Sequence, residues 1–286
     1  MPPILVIARL TALETSRRKL LLALGVLTLV VIGVSAWGFS KLWDIQTNGG
    51  PAPPALVRTT ASQLLILVAF MFEAILALSA AIVAAPSIST DLESGLALSM
   101  LARPIRRSDF LLGKWLGLAA MLVLYTAVSA WGELLAVEWA TGFFPPHPIL
   151  LVVFIATVGL VLLTLSLALS TRLSGITGAV IALGGYFMAW VGGIVGGIGS
   201  ALHNDALATA GTISKLLLPT DGLWRGAVWT LEPEALLVTY RSAGPGAAAF
   251  PFAAANPPPA PFLAWSALWL LAMLGIALWS FRRREI

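Results

Sequence analysis

Six apolar stretches, each long enough to cross a bilayer and nearly free of charge, leave this chain little choice but a bundle of helices in lipid. Leu20–Ser40 contains no charged side chain. At about 1.5 Å of rise per residue it covers roughly 31 Å, the thickness of a bilayer's hydrocarbon core. Comparable stretches run through Ala61–Ala85, Phe110–Ala136, Ile149–Ser170, Gly175–Ala201 and Pro261–Phe281. Lipid offers no partner to backbone N–H and C=O groups, so each stretch must bond within itself as a helix. The expected fold is an all-α, polytopic integral membrane protein with one transmembrane domain, residues 1–286.

The remaining composition supports this and excludes other classes. Charged residues make up 10% of the chain, against roughly 25% in a soluble domain. The basic pI of about 9.9 does not point to nucleic acid, because Lys and Arg cluster beside apolar stretches. There is no cysteine, which removes disulfides and thiolate metal sites. His147 and His203 fall in different loops, so no metal site is expected. The first stretch exceeds a signal peptide's apolar region and lacks a small-residue cleavage site after it, so it reads as a retained anchor.

Orientation follows from the basic residues. With the N-terminus in the cytoplasm, 12 of the 17 Lys and Arg face inward, among them Arg17, Arg18, Lys19, Arg103, Arg106, Arg107, Lys114, Arg172 and Arg282–Arg284. Five face outward, three of them in one long loop that carries little weight. Both termini are thereby expected in the cytoplasm of a multi-pass cell-membrane protein. Residues 1–19 mix Ile4, Leu5, Ile7 and Leu10 with Arg9 and Glu14, as a helix in the membrane interface would. Residues 41–60 carry Gly49-Gly50-Pro51 and Pro53-Pro54, which break helices. Residues 86–109 form the main inner loop and 202–260 the largest outer segment. In that segment, Thr220-Asp221 offers a turn or a helix N-cap, with Trp224 and Trp229 dipping toward lipid. Trp37, Trp43, Trp115, Trp131, Trp139, Trp265 and Trp279 sit near the ends of stretches and read as interfacial anchors.

The inner loop is the most organised. Pro86 ends or kinks the second stretch. Leu96–Ala102 suits a short helix, stopped where Pro104 disfavours helical geometry at Arg103. Ser108 can cap the third stretch, with Asp109 near its positive dipole end. Acidic residues stand at one end of this unit and basic ones at the other, which suits docking into a groove on a soluble partner, although a plain connecting loop could be far simpler.

From Pro86 through ISTDLESGLALSMLARPIRRSDFLLGKWLG, ending at Gly117, the sequence resembles the hallmark loop of type-2 ABC transporter permeases. The matching positions are Asp91, Glu93, Gly95, Leu98, Leu101, Arg103, Pro104, Arg106 and Arg107, followed by Gly113 and Lys114. Leu96 departs from the Thr or Ser often found there. Leu216–Trp229, LLLPTDGLWRGAVW, resembles a segment before the last span of such permeases. The resemblance implies a membrane subunit that pairs with a second copy of itself and with two separate ATPase subunits. It further implies that residues 87–108 form the coupling helix. Exporters of drugs, peptides or lipids and the subtype serving maturation of a copper enzyme share this layout. No G-x-x-x-x-G-K-[ST] occurs, so no nucleotide cofactor is expected on this chain; ATP and Mg would sit in the partner.

Polar residues inside the stretches mark candidate pathway positions. Glu73 lies mid-stretch, where a charge costs roughly 3 kcal/mol, so it either lines a substrate pathway or bonds to a neighbouring helix. Tyr125, Ser129 and Glu133 recur every four residues on one helix face, which suits a surface toward protein or water. Gly192/Gly196 and Gly193/Gly197 are G-x-x-x-G pairs, either a packing seam or a moving element. The alternative function is a secondary transporter or channel that uses Glu73 and Glu133 without an ATPase. A membrane enzyme is not expected, since neither H-E-x-x-H nor G-x-S-x-G is present.

Overall fold

The computed structural model describes residues 2–16, 19–47, 50–93, 106–244 and 250–283. Among them are eleven α-helices: α1 (Pro3–Ser16), α2 (Lys19–Ser40), α3 (Pro54–Ala84), α4 (Pro86–Glu93), α5 (Arg107–Thr141), α6 (Pro148–Ser170), α7 (Gly175–Ala201), α8 (Asp205–Leu217), α9 (Thr220–Leu231), α10 (Glu234–Ser242) and α11 (Ala260–Arg282). A 3₁₀ turn (Lys41–Asp44) and a two-residue hairpin, Gln46–Thr47 with Gly50–Pro51, join α2 to α3. Six helices, α2, α3, α5, α6, α7 and α11, are long and apolar enough to cross a membrane.

The bundle is built around α6. It is apolar on every side and carries no charge, so no face of it needs water. It packs against α3, α5, α7, α9 and α11, and Leu162, Val161 and Leu167 are fully enclosed. Small side chains let neighbours approach, as at Gly159 between Leu122 of α5 and Leu76 of α3.

α5 is the longest helix, 35 residues, or about 52 Å at 1.5 Å per residue, well beyond a 30 Å hydrocarbon core. It closes at Gly142, which adopts the left-handed conformation that glycine tolerates. Two helices run along it in its own direction. α2 lies along the second half, where Thr28 bonds to the Tyr125 hydroxyl and the Trp43 indole donates to the Ala140 carbonyl. α1 lies along the first half, its Ile7 and Thr11 over Gly113 and Gly117. The helix expected in residues 1–19 is present, but the face it buries is Ile7, Thr11 and Thr15, while Leu5, Val6, Leu10 and Leu13 point outward.

Three local expectations are corrected. The N-cap of α5 is Arg106, two residues before Ser108, which bonds sideways to Asp109 and caps nothing; Arg107 is already held by the Arg282 carbonyl at the end of α11. Thr220-Asp221 does not cap α9, whose N-cap is Pro219. Trp224 does not face lipid: it is enclosed, its indole donating to the Pro251 carbonyl. Trp229 is partly buried and stacks on His147 at 4.6 Å. Of the tryptophans read as anchors, Trp37, Trp139 and Trp279 are exposed as expected. Trp115 and Trp265 instead bond to Thr164 and to the Leu216 carbonyl.

Candidate functional site

Three constellations concentrate the polar chemistry. The first is at the end of the bundle that carries both termini. α3 stops at Ala84 and α4 begins at Pro86, a short helix wedged among α3, α6 and α7. The Lys114 ammonium, buried within α5, donates to the Ser87 carbonyl at 2.9 Å and lies over the Phe110 ring. On the other side, a Cβ at Gly175 would stand 2.9 Å from Pro86, so the first turn of α7 meets α4 backbone to backbone. Nearby, Phe110 stacks on Phe281, and Arg172 reaches the hydroxyl and carbonyl of Ser280 in α11. α4 is therefore gripped by α5 and seated on α7.

Of the loop residues singled out in the sequence, Asp91 and Glu93 fall in the last turn of α4, with side chains outside the described residues. Gly95, Leu98, Leu101, Arg103 and Pro104 lie outside the described residues altogether. Arg106 is the exposed N-cap residue of α5, and Arg107 opens that helix. Reading the loop by itself missed Ser87 and Gly175. The signal for Gly175 was its place immediately after Ser174, whose side chain accepts from the Thr177 amide and caps α7.

The second constellation is a cavity of about 280 Å³ lined by α2, α3, α5 and α6. Its walls are almost wholly apolar, with Leu27, Val31, Leu65, Phe72 and Ile155 among them. Tyr125, Ser129 and Glu133 also line it, so the four-residue stripe read from the sequence does share one surface. Tyr125 spends its hydroxyl on Thr28. Glu133 Oε1 is buried and has no hydrogen-bond partner among the described residues.

Glu73 is not part of that surface. It leaves α3 on another face, toward α7 and α9, is 1% exposed, and neither carboxylate oxygen has a hydrogen-bond partner among the described residues. The polar groups that act on it are Tyr186 of α7 and Asp221 of α9. The four residues read as one pathway set thus divide between two faces of α3.

Asp221 is the centre of the third constellation. Its carboxylate is enclosed, 3.3 Å from Arg225 and 3.7 Å from Lys215, and Arg225 also donates to the Gly193 carbonyl of α7. A side chain at Gly193 would overlap the Asp221 carboxylate, and one at Gly196 would meet the backbone of Gly211 in α8. Gly192 lies against Ser214, and Gly197 is buried. The glycine face of α7 is therefore a seam for the α8–α9 hairpin of the same chain, which doubles back along α7. Trp265 and Trp269 of α11 hold the hairpin's turn through the Leu216 and Leu217 carbonyls. Glu232 follows α9; its carboxylate accepts from the Ala254 amide, and burial pushes it up to about 8.

The description ABC-2 family transporter protein fits residues 5–286, nearly the whole chain. The chain belongs to the ABC-2 transporter family. Among curated proteins none matches it. The permease is thus a transport subunit of a membrane ABC transporter, and the six apolar helices are its membrane part. Among the described residues no cluster of His, Cys, Asp or Glu could hold a metal ion.

Proposed function

We propose that this permease forms the pathway of an ATP-driven exporter as a homodimer, with separate ATPase subunits docked under residues 86–109. Both termini then face the cytoplasm, as the 12-to-5 distribution of Lys and Arg supports. ATP and Mg belong to the partner, consistent with the missing P-loop. The observation that carries the reading is the grip on α4. A push on the loop beyond Glu93 is passed to α4, which is tied to α5 through Lys114–Ser87 and meets α7 at Gly175–Pro86. α7 in turn carries the α8–α9 hairpin across the far end. Closure of the ATPases is in this way relayed to the opposite end of the bundle.

The carrier reading, with Glu73 and Glu133 as a coupled pair, has less support, because the two carboxylates lie on different sides of α3 among different neighbours.

The test is co-expression with an ABC ATPase subunit that co-purifies with the wild-type permease. Glu93→Lys is expected to abolish co-purification of the complex and ATP-dependent transport. Lys114→Met is expected to leave the complex intact while lowering transport per ATP hydrolysed. If Glu93→Lys leaves complex and transport unchanged, the assignment of the docking loop is wrong. If the purified permease moves solute without any ATPase, the powered reading fails.

A further inference from the structure

The cavity beside Glu133 is closed on three sides and open on the fourth. α2 packs along α5 and α3 packs on α6, yet α2 and α3, which both line the cavity, scarcely touch each other. The gap between them faces outward, flanked by the exposed side chains of Leu27 and Met71. In a bilayer that gap opens into hydrocarbon, so the site is reached by molecules dissolved in the membrane and not directly from water. Entry from lipid selects a compound with a large apolar body.

The polar endowment of the cavity is one-sided. Tyr125 and Thr28 satisfy each other, Ser129 is enclosed, and Glu133, on whose carboxylate Ser35 of α2 acts, keeps Oε1 without a partner among the described residues. A carboxylate placed in hydrocarbon is costly until a cation or donor meets it. The rings of Phe72 and Tyr125, 5.9 Å apart, line the same space, and aromatic rings attract cations. The volume, about 280 Å³, falls just below the range of drug-sized ligand sites, roughly 300 to 1,000 Å³, and so suits a compact guest.

We infer that this is a membrane-accessible binding site for a compact lipophilic amine, whose ammonium pairs with Glu133 while its apolar body fills the space between α2 and α3. The inference deepens the transport reading, on which its place in a transport cycle rests, by naming the chemical class the pathway accepts. An uncharged guest of equal shape gains only the apolar part of the site, and an anion is repelled by it.

The experiment uses the full-length permease alone, in phosphatidylcholine nanodiscs, with tritiated 1-adamantylamine in equilibrium dialysis against empty nanodiscs. Saturable binding above the empty discs is expected. Glu133→Gln, which keeps the shape and removes the charge, should weaken amine binding roughly ten- to hundredfold, the value of a hydrogen bond to a charged group. Neutral 1-adamantanol should change by less than about twofold in the same variant, since its contacts are mostly apolar. Ala69→Trp, which fills the cavity, should abolish binding of both. A wild-type comparison needs no variant: N-acetylated adamantylamine should bind roughly ten- to hundredfold more weakly than the free amine. No saturable binding, amine binding unaltered in Glu133→Gln or Ala69→Trp, or equal affinity for amine and amide each overturns the inference. Because no ATPase is present, its failure leaves the Glu93→Lys result untouched, and failure of the coupling reading leaves the dialysis result standing.

Discussion

α2 and α6 are near twins as sequences and opposites in the molecule. Each is a charge-poor helix of similar length, with mean hydropathies of 2.2 and 2.8 in their best windows, yet 6% of the one window is buried and 61% of the other. Hydropathy says that a helix leaves water; it says nothing about which helices it then meets, because lipid tails are as apolar as leucine. What separates the two is how small residues are used. Gly25, Gly33 and Gly38 of α2 have nothing within reach of an added Cβ, while Gly159 of α6 has both Leu122 and Leu76 against it. α2 packs chiefly along one neighbour, α5, with Ile32 over Gly132 and Thr28 bonded to Tyr125, whereas α6 is surrounded by close approach and buried charge.

The sharpest way to break this contrast is at Asp221, in the inner shell. Asp221→Ala leaves Lys215 and Arg225 without their carboxylate and should cost about 3–5 kcal/mol, the usual loss when one partner of a buried pair is removed. Thermal unfolding in detergent would measure it, and a loss under about 1 kcal/mol would show that the hairpin is held by packing alone. Next, Gly159→Leu in α6 should destabilise by about 1–3 kcal/mol through overpacking, whereas Gly33→Leu in α2 should stay within about 0.5 kcal/mol. Equal effects in the two would erase the distinction drawn above.

An effect of a different kind, set by pH, is expected at Glu232. Burial raises its pKa to about 8, so the folded protein binds a proton there that the unfolded chain releases near its ordinary value. The associated stability is complete at acid pH and is lost as pH rises from about 4.5 through 8. Melting temperatures from pH 5 to 9 should fall in the wild type more than in Glu232→Gln; parallel curves would refute this. The smallest effect belongs to α2. Thr28→Val removes its bond to Tyr125 and should cost about 0.6 kcal/mol, the average for hydrogen bonds between membrane helices. A double-mutant cycle with Tyr125→Phe would isolate that coupling.

The sequence made the six long helices legible, because length and lack of charge are local properties. The shared face of Tyr125, Ser129 and Glu133 was legible too, since a four-residue spacing survives any packing. Glu73 was harder: α3 is apolar around most of its circumference, so nothing local says which side the carboxyl takes. The glycine seam of α7 could be seen, but its partner could not. That partner is a hairpin from a segment of mixed composition, and only the tertiary structure brings Gly211 to Gly196. Ser108 illustrates the same limit, since a contact between Arg107 and the distant Arg282 carbonyl accompanies a helix start two residues earlier than its capping chemistry suggested.

The unbroken length of α5 has a mechanical meaning. A helix of this kind is a stiff rod, and here α1 and α2 are strapped lengthwise to it, one below the other. Displacing its foot at Lys114 carries its head at Ala140 along, and with it Trp43 and the small hairpin on the far surface. Whatever tugs at the foot is felt on both faces of the bilayer at once.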